Sequence, residues 1–105
     1  MKVGELKIGM MITPSLNKWT KMKARMRVIE KQIYKYRSKE PKNIQAVEIC
    51  ARPLFNETYY DYAIYMGHDR GEEWFDGAKK YHLLLLGDLL VRISGYEFRY
   101  LEGVE

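Results

Sequence analysis

In the stretch KMKARMRVIEKQIYKYR, Lys21, Lys23, Arg25 and Arg27 alternate with Met22, Ala24, Met26 and Val28. Drawn out as a strand, the four cations leave one side at intervals of roughly 6.6 Å, near the spacing of phosphates along a nucleic-acid strand, and can meet several at once. Trp19, Tyr34 and Tyr36 supply rings on which bases can stack, and Arg37 adds a further charge. Contacts of this kind give affinity without sequence choice. Two plainer readings compete. Lysine-rich edge strands keep sheets from pairing edge to edge. The acidic run HDRGEEWFDG, with Asp69, Glu72, Glu73 and Asp76, also offers counter-charges within the same molecule.

The formal net charge of +4 conceals an uneven distribution. Residues 18–42 carry ten Lys or Arg against two Glu, whereas residues 43–105 carry six basic and eleven acidic side chains. One sign gathered on one stretch suits an anionic partner, nucleic acid or an acidic host protein, or else the chain's own acidic half.

Other chemistry finds little footing. His68 and the carboxylates at 69, 72, 73 and 76 are imaginable metal ligands, but Gly67, Gly71 and Gly77 mark the same stretch as a turn. Two histidines and one cysteine make no zinc-type spacing. GEEWFDGAKK, Gly71 to Lys80, has the wrong glycine spacing for a phosphate-binding loop. Ser15, Ser38 and Ser94 lie in turn contexts without a base nearby in sequence. Cys50, inside AVEICA, reads as a small buried hydrophobe. The expectation is a non-catalytic binding module without metal or cofactor.

These residues need a scaffold, and 105 residues allow one domain with one modest core. Met10 to Thr13 reads as a short strand stopped by Pro14, Asn43 to Ala51 as a β-branched strand, and Thr58 to Met66 as a tyrosine-rich one. YHLLLLGDLLVRI is a hairpin in which Gly87 supplies the positive φ of a type II′ turn. Ser94 and Gly95 then turn the chain into YEFRYLE. Between Trp19 and Tyr36 a helical stripe competes with strand, so an α+β domain with a basic amphipathic helix at 18–38 is the alternative. A long hairpin, Arg25 to Tyr36 returning through Ile44 to Cys50 around RSKEPKN, accounts for the matched apolar runs. A bulge at Val28–Ile29 would account for the break in alternation.

The opening VGELKIGMMI resembles the entry strand of small Src-homology-3-like barrels, including those of translation and nucleic-acid proteins, where Gly-x-Leu-x-x-Gly turns the chain into its first strand. YMGHDRGEEWFDGAKKYHLLLLGDLLVRISGYEFRYLE is similar to uncharacterised small proteins of tailed bacteriophages, including those of cyanobacteria, which end in a hairpin, a short turn and Leu-Glu. The resemblance implies a mainly β, small Src-homology-3-like β-barrel and a viral source. It carries no site residue with it.

The run Leu83, Leu84, Leu85 and Leu86 puts leucines on both faces of one strand, yet a barrel has one inside. The outward pair needs a cover: a loop bearing Trp19 or Trp74, a helix, or a second copy in a homodimer. No apolar run nears the roughly 20 residues that a membrane helix needs, and the N-terminus lacks the features of a signal peptide. A lone cysteine suits a reducing cytoplasm, the host's if the chain is viral.

Overall fold

A computed structural model describes residues 7–16, 21–34, 40–52, 54, 56–68 and 81–104. The described chain is mainly β: β1 (Met11–Pro14), β2 (Arg25–Tyr34), β3 (Pro41–Cys50), β4 (Ala63–His68), β5 (Tyr81–Leu86), β6 (Leu89–Ser94), the one-turn helix α1 (Gly95–Phe98) and β7 (Leu101–Gly103). They form a single seven-stranded sheet in the order β2-β3-β6-β5-β4-β1-β7. All described strand pairs are antiparallel except β3–β6, which are parallel through Ala46 and Arg92.

The sheet curls back on itself. Just ahead of β4, Tyr60 exchanges both backbone hydrogen bonds with Met26 of β2, at 2.9 and 2.7 Å. This bridge closes the circuit β2-β3-β6-β5-β4 around one interior, with β1 and β7 laid beside β4. Ile12, Met26, Val47, Leu84, Val91, Ile93 and Leu101 fill that interior, each nearly inaccessible to solvent. Such a curled sheet is consistent with the small Src-homology-3-like barrel expected from the sequence.

The long hairpin forms as expected, with its last pair at Tyr34 and Pro41 and a shorter loop than RSKEPKN. The helix at 18–38 does not form in the described part, where residues 25–34 are strand. The pleat is also shorter than the alternation suggested. Lys21 has a φ of 56°, Lys23 makes one isolated bridge to Leu16, and β2 starts only at Arg25.

No bulge interrupts Val28–Ile29, because β2 and β3 pair without a break from Arg25–Cys50 to Tyr34–Pro41. The apolar side chains change face for another reason: each half of the hairpin packs on a different core. Met26 and Val28 point into the interior, whereas Ile29 and Ile33 join Ile44, Ala46 and Tyr81 in a second cluster on the outer face. The bulge lies in β4 instead, between Tyr65 and Gly67, where Gly67 takes a φ of 101°. β1 does end at Pro14, which is itself the buried last residue of the strand, opposite Leu101. The tyrosine-rich strand begins at Ala63, not Thr58, and YEFRYLE holds the helix α1, capped by the Ser94 hydroxyl, before β7. The Gly87–Asp88 turn is as expected: Leu86 pairs with Leu89, and Gly87 has a φ of 61°.

Candidate functional site

The basic row divides on folding. Arg25 reaches Asp61 through Nε at 2.9 Å and Nη2 at 3.4 Å. Arg27 donates to Glu48 Oε2 from Nη2 at 2.8 Å and from Nε at 3.2 Å, and to Glu57 Oε2 from Nη1 at 2.6 Å. Pairing explains the geometry. Glu48 is the residue directly opposite Arg27 in the β2–β3 ladder, and Asp61 follows the Tyr60 bridge that brings its segment beside Met26. The hydrogen bonds to Glu48 and then Glu57 make the Arg27 guanidinium hold its proton more tightly than a free one. Glu57 is held below the usual carboxylate range by Arg27 and, secondarily, by the Tyr59 hydroxyl. Two of the four expected phosphate ligands are therefore already matched by acids of the same molecule, and by acids other than the 69–76 run, which lies outside the described residues.

Lys21 and Lys23 remain exposed, with the Lys23 ammonium 4.9 Å from the centre of the Tyr62 ring. Trp19, Tyr36 and Arg37 lie outside the described residues, and of Tyr34 only the backbone, closing β2, is described. A different cation–aromatic group was missed in the sequence: the Arg99 guanidinium lies 4.9 Å from the centres of both Tyr96 and Tyr100, each more than half exposed. The 96–99–100 spacing was the available signal.

The leucine run resolves cleanly. Leu84 and Leu86 are fully buried in the barrel and belong to no surface, a correction to the four-leucine interface. Leu83 and Leu85 face outward and are half-buried. By strand register Leu85 lies between Ile64 of β4 and Leu90 of β6, and Ile64 lies beside Met11 of β1. Met11, Ile64, Leu85 and Leu90 thus form an apolar row across the outer face of four strands, with Met11 46% and Leu90 55% exposed. The tight Gly87–Asp88 turn already implied the Leu85–Leu90 pair; Met11 and Ile64 needed the topology.

His82 is buried between the Phe98 ring, stacked at 3.9 Å, and the His68 ring at 4.6 Å, and its Nδ1 shares a 3.3 Å hydrogen bond with the Tyr65 hydroxyl. Burial pushes the Tyr65 phenol upward. Among the described residues no three His, Cys, Asp or Glu side chains gather as metal ligands. The Cys50 thiol is pushed up by burial, which disfavours the reactive thiolate. No described helix is long and apolar enough to cross a membrane. No family model matches the chain, and neither curated proteins nor solved structures provide a match.

Proposed function

We propose that the chain is a non-catalytic protein-interaction module that self-associates through the outer face of β1, β4, β5 and β6. The observation that supports this is the row Met11, Ile64, Leu85 and Leu90, whose two ends are about half exposed. Covering each end gains on the order of 1 kcal/mol, half of what full burial of such a side chain provides. Against the cost of association the result is a weak dimer, visible only at high protein concentration. Light scattering across a concentration series tests the reading: dimer at the top of the range, monomer throughout for Leu90→Glu. A monomeric profile at every concentration for the unaltered chain ends the proposal.

Nucleic-acid binding is the second reading, favoured by cations over exposed tyrosine rings at Lys23–Tyr62 and Arg99–Tyr96. Because Arg25 and Arg27 are engaged by acids, phosphate contacts would come chiefly from Lys21, Lys23 and Arg99. Three such contacts give a salt slope of about −3 or shallower. Absence of filter retention at low salt removes this reading. The phage-accessory setting and the host cytoplasm rest on the C-terminal resemblance alone.

A further inference from the structure

Among the described residues, the edge of β2 opposite β3 is bonded only at its start. Met26 spends its outward N–H and C=O on Tyr60, and the chain before Tyr60 then leaves the edge. Backbone direction alternates along a strand, so Val28, Glu30 and Gln32 turn the same groups outward, while Ile29 and Lys31 bond to β3. Among the described residues no group pairs with the outward donors and acceptors of Val28, Glu30 and Gln32. A groove of about 410 Å³ opens beside them, lined by Val28, Glu30, Glu57, Thr58, Tyr60 and Leu89 among others.

We infer that this edge takes up an extended peptide of a partner protein as an added strand. Main-chain groups recognise main-chain groups, so an unpaired edge selects an extended backbone over a helix, a sugar or a nucleic acid. The side chain opposite Val28 would enter the groove at Tyr60 and Leu89, both already packed on the barrel core.

A second copy fits poorly. The antiparallel two-fold register that uses all three residues sets Glu30 against Glu30. Shifting it one step either way sets Lys31 against Arg27, or Lys31 against Lys31. Like charges directly opposite each other destabilise a sheet, so the edge refuses itself and accepts a strand of complementary charge, basic opposite Glu30 and acidic opposite Lys31. This surface is separate from the outer apolar row, and either can fail alone.

The test uses amide hydrogen exchange of the full chain with the capped peptide Thr-Glu-Lys-Thr-Val, which places Lys against Glu30, Glu against Lys31 and Val against Val28 when antiparallel. At a concentration near ten times its dissociation constant, exchange at Val28, Glu30 and Gln32 slows about tenfold, while Ile29 and Lys31, already bonded, stay as they were. Glu30→Pro deletes an outward donor without touching the β3 ladder and abolishes the slowing; Glu30→Gln keeps it. If the proline variant does not fold, the peptide N-methylated at its Lys serves instead and leaves exchange unchanged. The inference is overturned by unaltered exchange with saturating unmodified peptide. Slowing that survives both blocks, or that follows the protein's own concentration without peptide, overturns it equally.

Discussion

Arg27 and Glu48 face each other across the β2–β3 ladder, and the guanidinium Nη2 lies 2.8 Å from Glu48 Oε2. The same arginine reaches Glu57, so the charge row that drew attention in the sequence works as an internal clamp between the hairpin and the segment leading to β4. Removing one member of that clamp leaves the others solvated, since all sit near the surface. Arg27→Gln therefore lowers the urea midpoint modestly at neutral pH and leaves the fold intact. Glu57 is held below the ordinary carboxylate range, so the stability it adds is present above that range and fades as pH falls through its folded value. Urea melts from pH 6 to pH 3 should show the Arg27→Gln difference shrinking with acid. A difference that stays constant or grows shows that the clamp does not hold in solution.

Leu84 and Leu85 are neighbours with opposite fates. Leu84 is inaccessible at the centre of the barrel, so Leu84→Ala removes transfer energy and leaves a cavity, costing about 2–5 kcal/mol. Leu85 looks outward with partial cover, and Leu85→Ala costs about 1 kcal/mol or less. Equilibrium denaturation of both variants checks the facing of the strand: equal losses, or the reverse order, would mean that β5 is turned over.

Gly87 opens the β5–β6 turn with a φ of 61°, in the left-handed region where a Cβ costs roughly 1–2 kcal/mol. Space is not the issue, because a Cβ there meets nothing within 4 Å. Gly87→Ala should lose about that much or more, whereas Asp88→Ala, at a position that takes no positive φ, should lose markedly less. Thermal melts in which Gly87→Ala costs no more than Asp88→Ala contradict the turn geometry.

Much of this architecture was legible because local rules decide it. The β5–β6 hairpin needed only two apolar runs and a Gly-Asp pair, and the β2–β3 hairpin only two runs of matched length. The change of apolar face at Val28–Ile29 was visible too, but its cause was not. A bulge is the local explanation, whereas the actual cause is that Tyr81, half a chain away, builds a second cluster with Ile29 and Ile33. Site residues suffered from the same limit. Lys21 to Arg27 alternate with apolar residues in the sequence, but the pleat starts only at Arg25, and the partners Asp61 and Glu57 arrive through the Tyr60–Met26 bridge, which no local signal announces. The apolar row is likewise a product of strand order, since Met11 and Leu90 stand at opposite ends of the sequence.

Glu97 behaves oppositely to Glu57. It lies in α1 beside the groove lined by Lys31, Glu48, Tyr81 and Tyr96, and burial, reinforced by the nearby Glu48 charge, raises its carboxyl above the usual value of 4.5 while Lys31 partly offsets the shift. A raised carboxyl means that the folded state prefers the protonated form. The associated stability is complete below pH 4.5 and is lost as pH climbs through the folded value. Glu97→Gln mimics the protonated state, so the variant is more stable than the parent at pH 7 and the gap closes as pH is lowered past 4.5. Paired urea titrations at pH 7 and pH 4 measure that gap directly. A variant less stable than the parent at pH 7 would show that the Lys31 attraction outweighs desolvation and the Glu48 repulsion.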